Sequence, residues 1–285
     1  MADMRIISFL MLALLLGACE RVVEVDLPNG PTRLVVEARL ERVLENVNGR
    51  QVIVLSTTGP YLSGVRPPAV RGTTVSVTDD LGHVSVFVEQ GTPGQYVTSA
   101  LVIERNRRYT LRVNWEGSQF ESTTTTATIP RIDSLYFVAA KPGQFSGKWG
   151  VRATIDTKDP GDERNFYLWE QYLNSVKQLG PDSSIRLPVI VNDELVNGRP
   201  VIGYQPFEGI DIPVGTQVLI RQIGLTAELY RYYFALSEQV SNDGSIFAVP
   251  LASVRGNVAN RTNPVQRALG YFSVSEVSEI RAVRR

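Results

Sequence analysis

The chain has 285 residues, 43% of them hydrophobic and 20% charged, a composition that excludes intrinsic disorder and provides for a packed core. Its 29 Lys and Arg balance its 29 Asp and Glu, so it lacks the net field on which non-specific nucleic-acid binding rests, and no nucleic-acid partner is expected. A single cysteine excludes an intramolecular disulfide.

That cysteine, Cys19, closes the first predicted element. Arg5 precedes the apolar run "IISFLMLALLLGA" (residues 6–18), which is shorter than the roughly 20 residues of a membrane-spanning helix and suits a signal-peptide core. Leu16-Gly17-Ala18-Cys19 then has the form of a bacterial lipobox: a large apolar residue, two small ones that pass into a signal peptidase, and a thiol to accept lipid. Residues 1–18 are therefore expected to be removed and Cys19 to be lipidated, which makes the membrane a partner of the mature chain. A buried core cysteine is the alternative, but it has no reason to sit directly behind such a run.

From residue 33 to about 128 the apolar residues recur with period two, the mark of half-buried strands. "RLVVEARL" and "QVIVLSTT" lead. "TTVSVTD" sets Val75 and Val77 against Thr74, Ser76 and Thr78, and after the turn "DDLG" the stretch "HVSVFVE" repeats the alternation with Val84, Val86 and Val88. The pair predicts a β-hairpin. "GQYVTSALV", "RYTLRVNW" and "QFESTTTTA" follow. Strands without helices over this length predict an immunoglobulin-like or transthyretin-like sandwich spanning 19–130, in which Tyr109 forms either a tyrosine corner or plain core packing.

Pro130, in "ATIPRIDS", has no N–H for a ladder and holds Ile129 extended, which marks an expected domain boundary. Beyond it "SLYFVAA", "WGVRATID", "NFYLWEQYL", "TQVLIRQIG" and "ALGYFSVSEV" read as strands. Leu229, Tyr233, Leu236 and Val240 change the period to that of a helix near 226–240, with Thr226 as N-cap. Residues 131–285 are thus expected to form a second β-rich domain with one amphipathic helix.

Little in the chain promises chemistry. The one histidine, His83, follows a hairpin turn and reads as a solvated side chain. "GQFSGKW" (residues 143–149) is a residue short of a phosphate loop and ends in Trp149 where Ser or Thr should bind magnesium. "DTKDPGDERNFY" begins like a calcium loop, but Lys158, Pro160 and Tyr167 stand where oxygen ligands belong. Asp156, Asp159, Asp162 and Glu163 remain either a cation loop of another shape or an acidic turn, the simpler reading. The basic run "ERNRRY" reads most simply as a solvated loop, with contact to phosphate head groups as the alternative. In "LYRYYFAL" Tyr233 lies on the apolar helix face, whereas Tyr232 and Phe234 point elsewhere and are the candidate partner-binding residues. No catalytic residue, metal site or cofactor site is expected.

Taken together, "CERVVEVDLP", "LVVEARL", "PRIDSLYF", "DTKDPGDERNFYLWEQY", "LYRYYFAL" and "ALGYFSVSEV" cover the expected mature chain nearly end to end. In that order they resemble the uncharacterised, domain-of-unknown-function lipoproteins of Bacteroidetes that accompany TonB-dependent outer-membrane receptors. One departure is "ERNRRYTL", where the family has a glycine-containing turn before the tyrosine. The resemblance implies a lipoprotein of the outer membrane, at the cell surface or on its periplasmic face, and supplies no catalytic residues. The expected function is that of a non-catalytic accessory or ligand-binding partner of a TonB-dependent nutrient transporter. A structural or adhesive envelope protein is the alternative, and a glycan or peptide hydrolase the third.

Overall fold

In the computed structural model, residues 30–46, 49–60, 65–140, 149–161, 163–180, 187–241 and 254–285 are described. The expected signal peptide, Cys19, Asp162 and most of the 143–149 loop lie outside them. The described residues form sixteen strands and one helix, so the chain is mainly β as its alternating patterns imply. The first seven strands are β1 (Leu34–Val43), β2 (Gln51–Thr57), β3 (Thr74–Asp79), β4 (Val84–Glu89), β5 (Gln95–Thr98), β6 (Arg108–Trp115) and β7 (Ser118–Thr125). Past Pro130 come β8 (Ile132–Ala140), β9 (Gly150–Lys158), β10 (Phe166–Leu173), β11 (Val176–Lys177), β12 (Val189–Asn192), β13 (Pro200–Tyr204) and β14 (Gln217–Leu225). Helix α1 (Ala227–Ser241), β15 (Ala259–Asn260) and β16 (Leu269–Val283) complete the chain. Thr32–Gly59 and Arg66–Arg285 make one compact unit.

Thirteen strands share one hydrogen-bonded sheet, in the order β11-β10-β14-β16-β1-β2-β5-β4-β3-β6-β7-β15 with β12 on β10, and β13-β9-β8 form a second sheet. The expected hairpin is present: β3 pairs antiparallel with β4, and Asp79 Oδ1 accepts from the amides of Leu81 and His83 to close its turn. Its faces differ from the reading in which Val84, Val86 and Val88 continue the buried row. Phe87 lies opposite Val75 and Ser85 opposite Val77, so Phe87 enters the core while the three valines stand 57–65% exposed. Alternation fixes that a strand has two faces, and the bulk of Phe87 decides which one is buried.

Three apolar clusters gather among the described residues. The first joins Val36, Ala38 and Leu40 of β1 to Val75, Phe87, Leu111 and Phe120. Tyr109 belongs to it, and its hydroxyl accepts from the Glu104 amide at 2.8 Å and donates to the Val102 carbonyl at 3.4 Å, the tie of a tyrosine corner. In the loop so held, Asn106 takes the left-handed conformation (φ 57°), supplying with asparagine the turn that glycine makes most easily. The second cluster lies beyond Pro130 around Ile155, Tyr167, Trp169 and Ile220. The third gathers Leu168, Ile223, Leu225 and Val277 beneath Leu229 of α1.

β16 runs through all of this. Its first half pairs parallel with β1, placing Phe272 and Val274 in the first cluster, and its second half pairs antiparallel with β14. The first core therefore draws residues from both sides of Pro130, and strands from both sides share the larger sheet. At Gly270 (φ 82°), directly opposite Val36, a Cβ would strike the Val36 carbonyl, so the two strands close only on glycine.

Candidate functional site

One face of β10, β14, β16 and β1 carries charge where a sheet usually carries apolar side chains. Glu170, Arg221 and Glu279 are direct neighbours on three adjacent strands. Arg221 reaches Glu170 at 2.8 Å, Glu279 at 2.9 Å and Glu41 of β1 at 2.5 Å. Glu170, 2% exposed, is also held by Arg39 at 2.9 Å, Lys177 at 2.6 Å and the Tyr172 hydroxyl at 3.1 Å. Arg39 further pairs with Glu41 at 2.8 Å, a charge contact out of hydrogen-bond alignment. Arg39 and Glu41 span β16 because the residues facing them there are Ser273 and Ser275, both small and buried. Burial would push the Glu170 carboxyl up, but the charges of Arg39, Lys177 and Arg221 outweigh it and hold its pKa at about 2. Arg39 and Arg221 rise in turn: the carboxylates of Glu41 and Glu170 overcome the burial that would lower them.

Over this face lies α1. Thr226 caps it as expected: its hydroxyl accepts from the Leu229 amide at 3.2 Å and its carbonyl from the Tyr230 amide at 2.9 Å. Leu229 is 1% exposed, Tyr230 packs on Phe166 with ring centres 5.0 Å apart, and Tyr232 packs on Tyr271 of β16 at the same distance. The expected helix face holds only in its first turns, since Val240 is 68% exposed.

Between α1, β1 and the start of β16 the helix and sheet part to leave a cleft of about 700 Å³. Tyr232, Tyr233 and Tyr271 wall it, and Arg39, Glu41 and Ser273 lie along its sheet side. Burial raises all three tyrosines, Tyr271 to about 12, so each keeps its hydroxyl proton at neutral pH. The Arg39 charge opposes that rise at Tyr233, which joins the cleft to the ion network. Such a volume falls within the range of small-ligand sites, and tyrosines offer both ring faces and hydroxyls.

The two expected partner-binding residues are not brought together. Tyr232 turns inward to the cleft, whereas Phe234 stands 52% exposed on the outer side of the helix. Arg39, Glu41, Glu170 and Arg221 are not among the candidates that sequence reasoning yields, because their partnerships join residues up to 180 positions apart. The signal that could find them is a Glu or Arg at strand positions whose alternation calls for burial.

The remaining candidates are accounted for within the fold. Asp156 accepts from Ser134, Tyr136 and the Gly203 amide, and Asp159 from Tyr167 and the Gly198 amide. Among the described residues no three His, Cys, Asp or Glu gather as metal ligands. His83 is an exposed side chain 2.9 Å from Asp79. The basic run "ERNRRY" is not a solvated loop throughout: Arg105 pairs with the fully buried Glu276 at 2.7 Å, and Arg107 pairs with Asp80 at 2.5 Å.

The family model described as Domain of unknown function (DUF4249) matches residues 20–281. Among curated proteins none matches the chain. No described helix is long and apolar enough to cross a membrane.

Proposed function

The chain belongs to the DUF4249 family, and from that premise we propose that it is an outer-membrane lipoprotein, anchored through Cys19, that serves as a non-catalytic accessory or ligand-binding partner of a TonB-dependent nutrient transporter. The observation that carries this reading is the cleft beneath α1. Its tyrosines provide shaped, hydrogen-bonding surface, and the charges of Arg39 and Glu41 are spent on each other, Glu170 and Arg221. Recognition needs such a surface with a few polar groups, which Glu37 and Arg50 on the same lining add to. Glu37 and Glu41, the two carboxylates lining the cleft, lie four residues apart on one strand, about 13 Å along it, wider than the ~5–10 Å of a glycosidase pair. A lipid at Cys19 would confine protein and receptor to one membrane plane, so that a modest interface suffices.

The test is affinity capture of the lipidated protein from native outer membrane. The expected product is a complex with a TonB-dependent barrel. Capture of no barrel, together with turnover of a glycan or peptide by the pure protein, would refute the reading. A second reading, a structural or adhesive envelope protein, is favoured by the row of exposed valines on β4, which offers an apolar strand face to another protein. Replacing Val86 with Lys separates the two: the accessory reading expects barrel capture to survive, the structural one expects association to fail.

A further inference from the structure

Between the large sheet and β13-β9-β8 lies a second cavity, of about 260 Å³, separate from the cleft under α1. Its wall is mostly apolar and aromatic: Tyr167 and Trp169 of β10 face Tyr204 of β13, and the Trp169 and Tyr204 rings meet at 59° with centres 5.6 Å apart. Gln222 of β14, directly opposite Trp169 in register, also borders it.

The polar atoms at this wall are out of balance. Gln222 is 0% exposed, and neither its amide nitrogen nor its amide oxygen has a hydrogen-bond partner among the described residues. The Trp169 indole N–H, at 4% exposure, has none either. Leaving a buried donor or acceptor unmade is costly, so three such atoms on directly opposed residues beside a cavity call for an occupant that satisfies them. Among the described residues the only carboxylate at the cavity, Asp159, already accepts from the Tyr167 hydroxyl and the Gly198 amide, and no Lys or Arg lines the wall. Neither an anion nor a cation is provided for.

We propose that this cavity binds a small, uncharged, planar heterocycle that presents an N–H and a C=O side by side, the edge of a lactam or cyclic imide. The carboxamide of Gln222, which has no open surface as it lies and must turn into the cavity, is self-complementary to that edge: its N–H₂ then donates to the ring carbonyl while its oxygen accepts from the ring N–H. Directly opposed residues on paired strands have Cβ atoms about 5 Å apart, so one ring can also accept from Trp169 Nε1. The flat ring packs in the corner of Trp169 and Tyr204, and the apolar remainder of the wall excludes water from the paired edge. The volume of about 260 Å³ admits one or two fused rings. This site requires neither the lipid anchor nor a receptor, and stands or falls apart from the proposed function.

The experiment is calorimetric titration and thermal unfolding of the full-length protein in detergent with thymine, uracil and hypoxanthine, and with 1,3-dimethyluracil and toluene as controls. The lactams are expected to bind and raise Tm, and 1,3-dimethyluracil, whose N–H groups are blocked, to bind at least tenfold more weakly. Gln222→Leu is expected to abolish lactam binding while raising Tm of the unliganded protein by about 2–4 °C, because it removes two unpaired buried atoms. Trp169→Phe, which keeps a ring and drops the N–H, is expected to weaken lactam binding severalfold, and it serves should Gln222→Leu not fold. The proposal is overturned if no lactam binds, if toluene or 1,3-dimethyluracil binds as well as thymine, or if a crystal grown with thymine holds only ordered water against Gln222.

Discussion

Glu170 keeps its charge at 2% exposure because three cations and a tyrosine hydroxyl converge on it from strands far apart in sequence. A buried ion pair adds little over a well-packed apolar pair, but breaking one side strands the other charge. Arg221→Met leaves Glu41, Glu170 and Glu279 facing one another and is expected to destabilise the fold by about 3–5 kcal/mol in urea unfolding. The pH dependence follows from the depressed carboxyl. Its stabilisation is complete above the ordinary glutamate value near 4.5 and is lost as pH falls through about 2, a contribution on the order of 3 kcal/mol. Wild-type unfolding free energy is thus expected to fall between pH 5 and pH 2.5 more steeply than that of Glu170→Gln; equal slopes would show that Glu170 is not held as described. None of these partnerships is legible in the sequence, since local spacing carries no information on which strands lie side by side. Tyr109 and Thr226 are legible, because a corner and a cap are made within a few residues of chain.

At the scale of elements, α1 shows what periodicity yields and where it stops. The steps from Leu229 to Tyr233 and the cap at Thr226 place the helix to within a residue of Ala227–Ser241. The cleft stays hidden, because it arises where the helix stands off β1 and β16. Thr226→Ala is expected to cost about 1 kcal/mol of local stability and to speed amide exchange in the first turn of α1, whereas Thr226→Asp is expected to preserve it. Unchanged exchange in the alanine variant would show that tertiary packing alone holds the helix start. The short strands β11, β12, β13 and β15 leave no mark on the sequence, for want of enough residues to display a period. On β4 the period is legible and its buried side is not, since Val84, Val86 and Val88 alternate with Ser85, Phe87 and Glu89 and either face fits until the opposite strand is known.

At the scale of the whole molecule, β16 ties the last residues to the first strand. A chain ending at Ile129 retains β1 to β7 but loses Phe272 and Val274 from the first core and the partners of nine β1 residues. It is expected to unfold at lower urea concentration than the full chain, and an unchanged midpoint would mean that β16 adds nothing to the first core. The lipid anchor belongs to this scale too. Cys19→Ala is expected to leave the fold intact and release the protein from membranes, because each acyl CH₂ lost forfeits about 0.8 kcal/mol of burial; sedimentation of that variant with membranes would refute the anchor. In the proposed function the lipidated protein docks on a TonB-dependent receptor through the α1 side of the molecule. The most direct measurement of this docking is photo-crosslinking in living cells with a benzophenone amino acid at Phe234, the exposed aromatic on the outer side of the helix. A covalent adduct with a TonB-dependent barrel is expected from position 234 and none from position 84 on β4. An adduct from position 84 with another envelope protein, and none with a barrel from position 234, would contradict this docking.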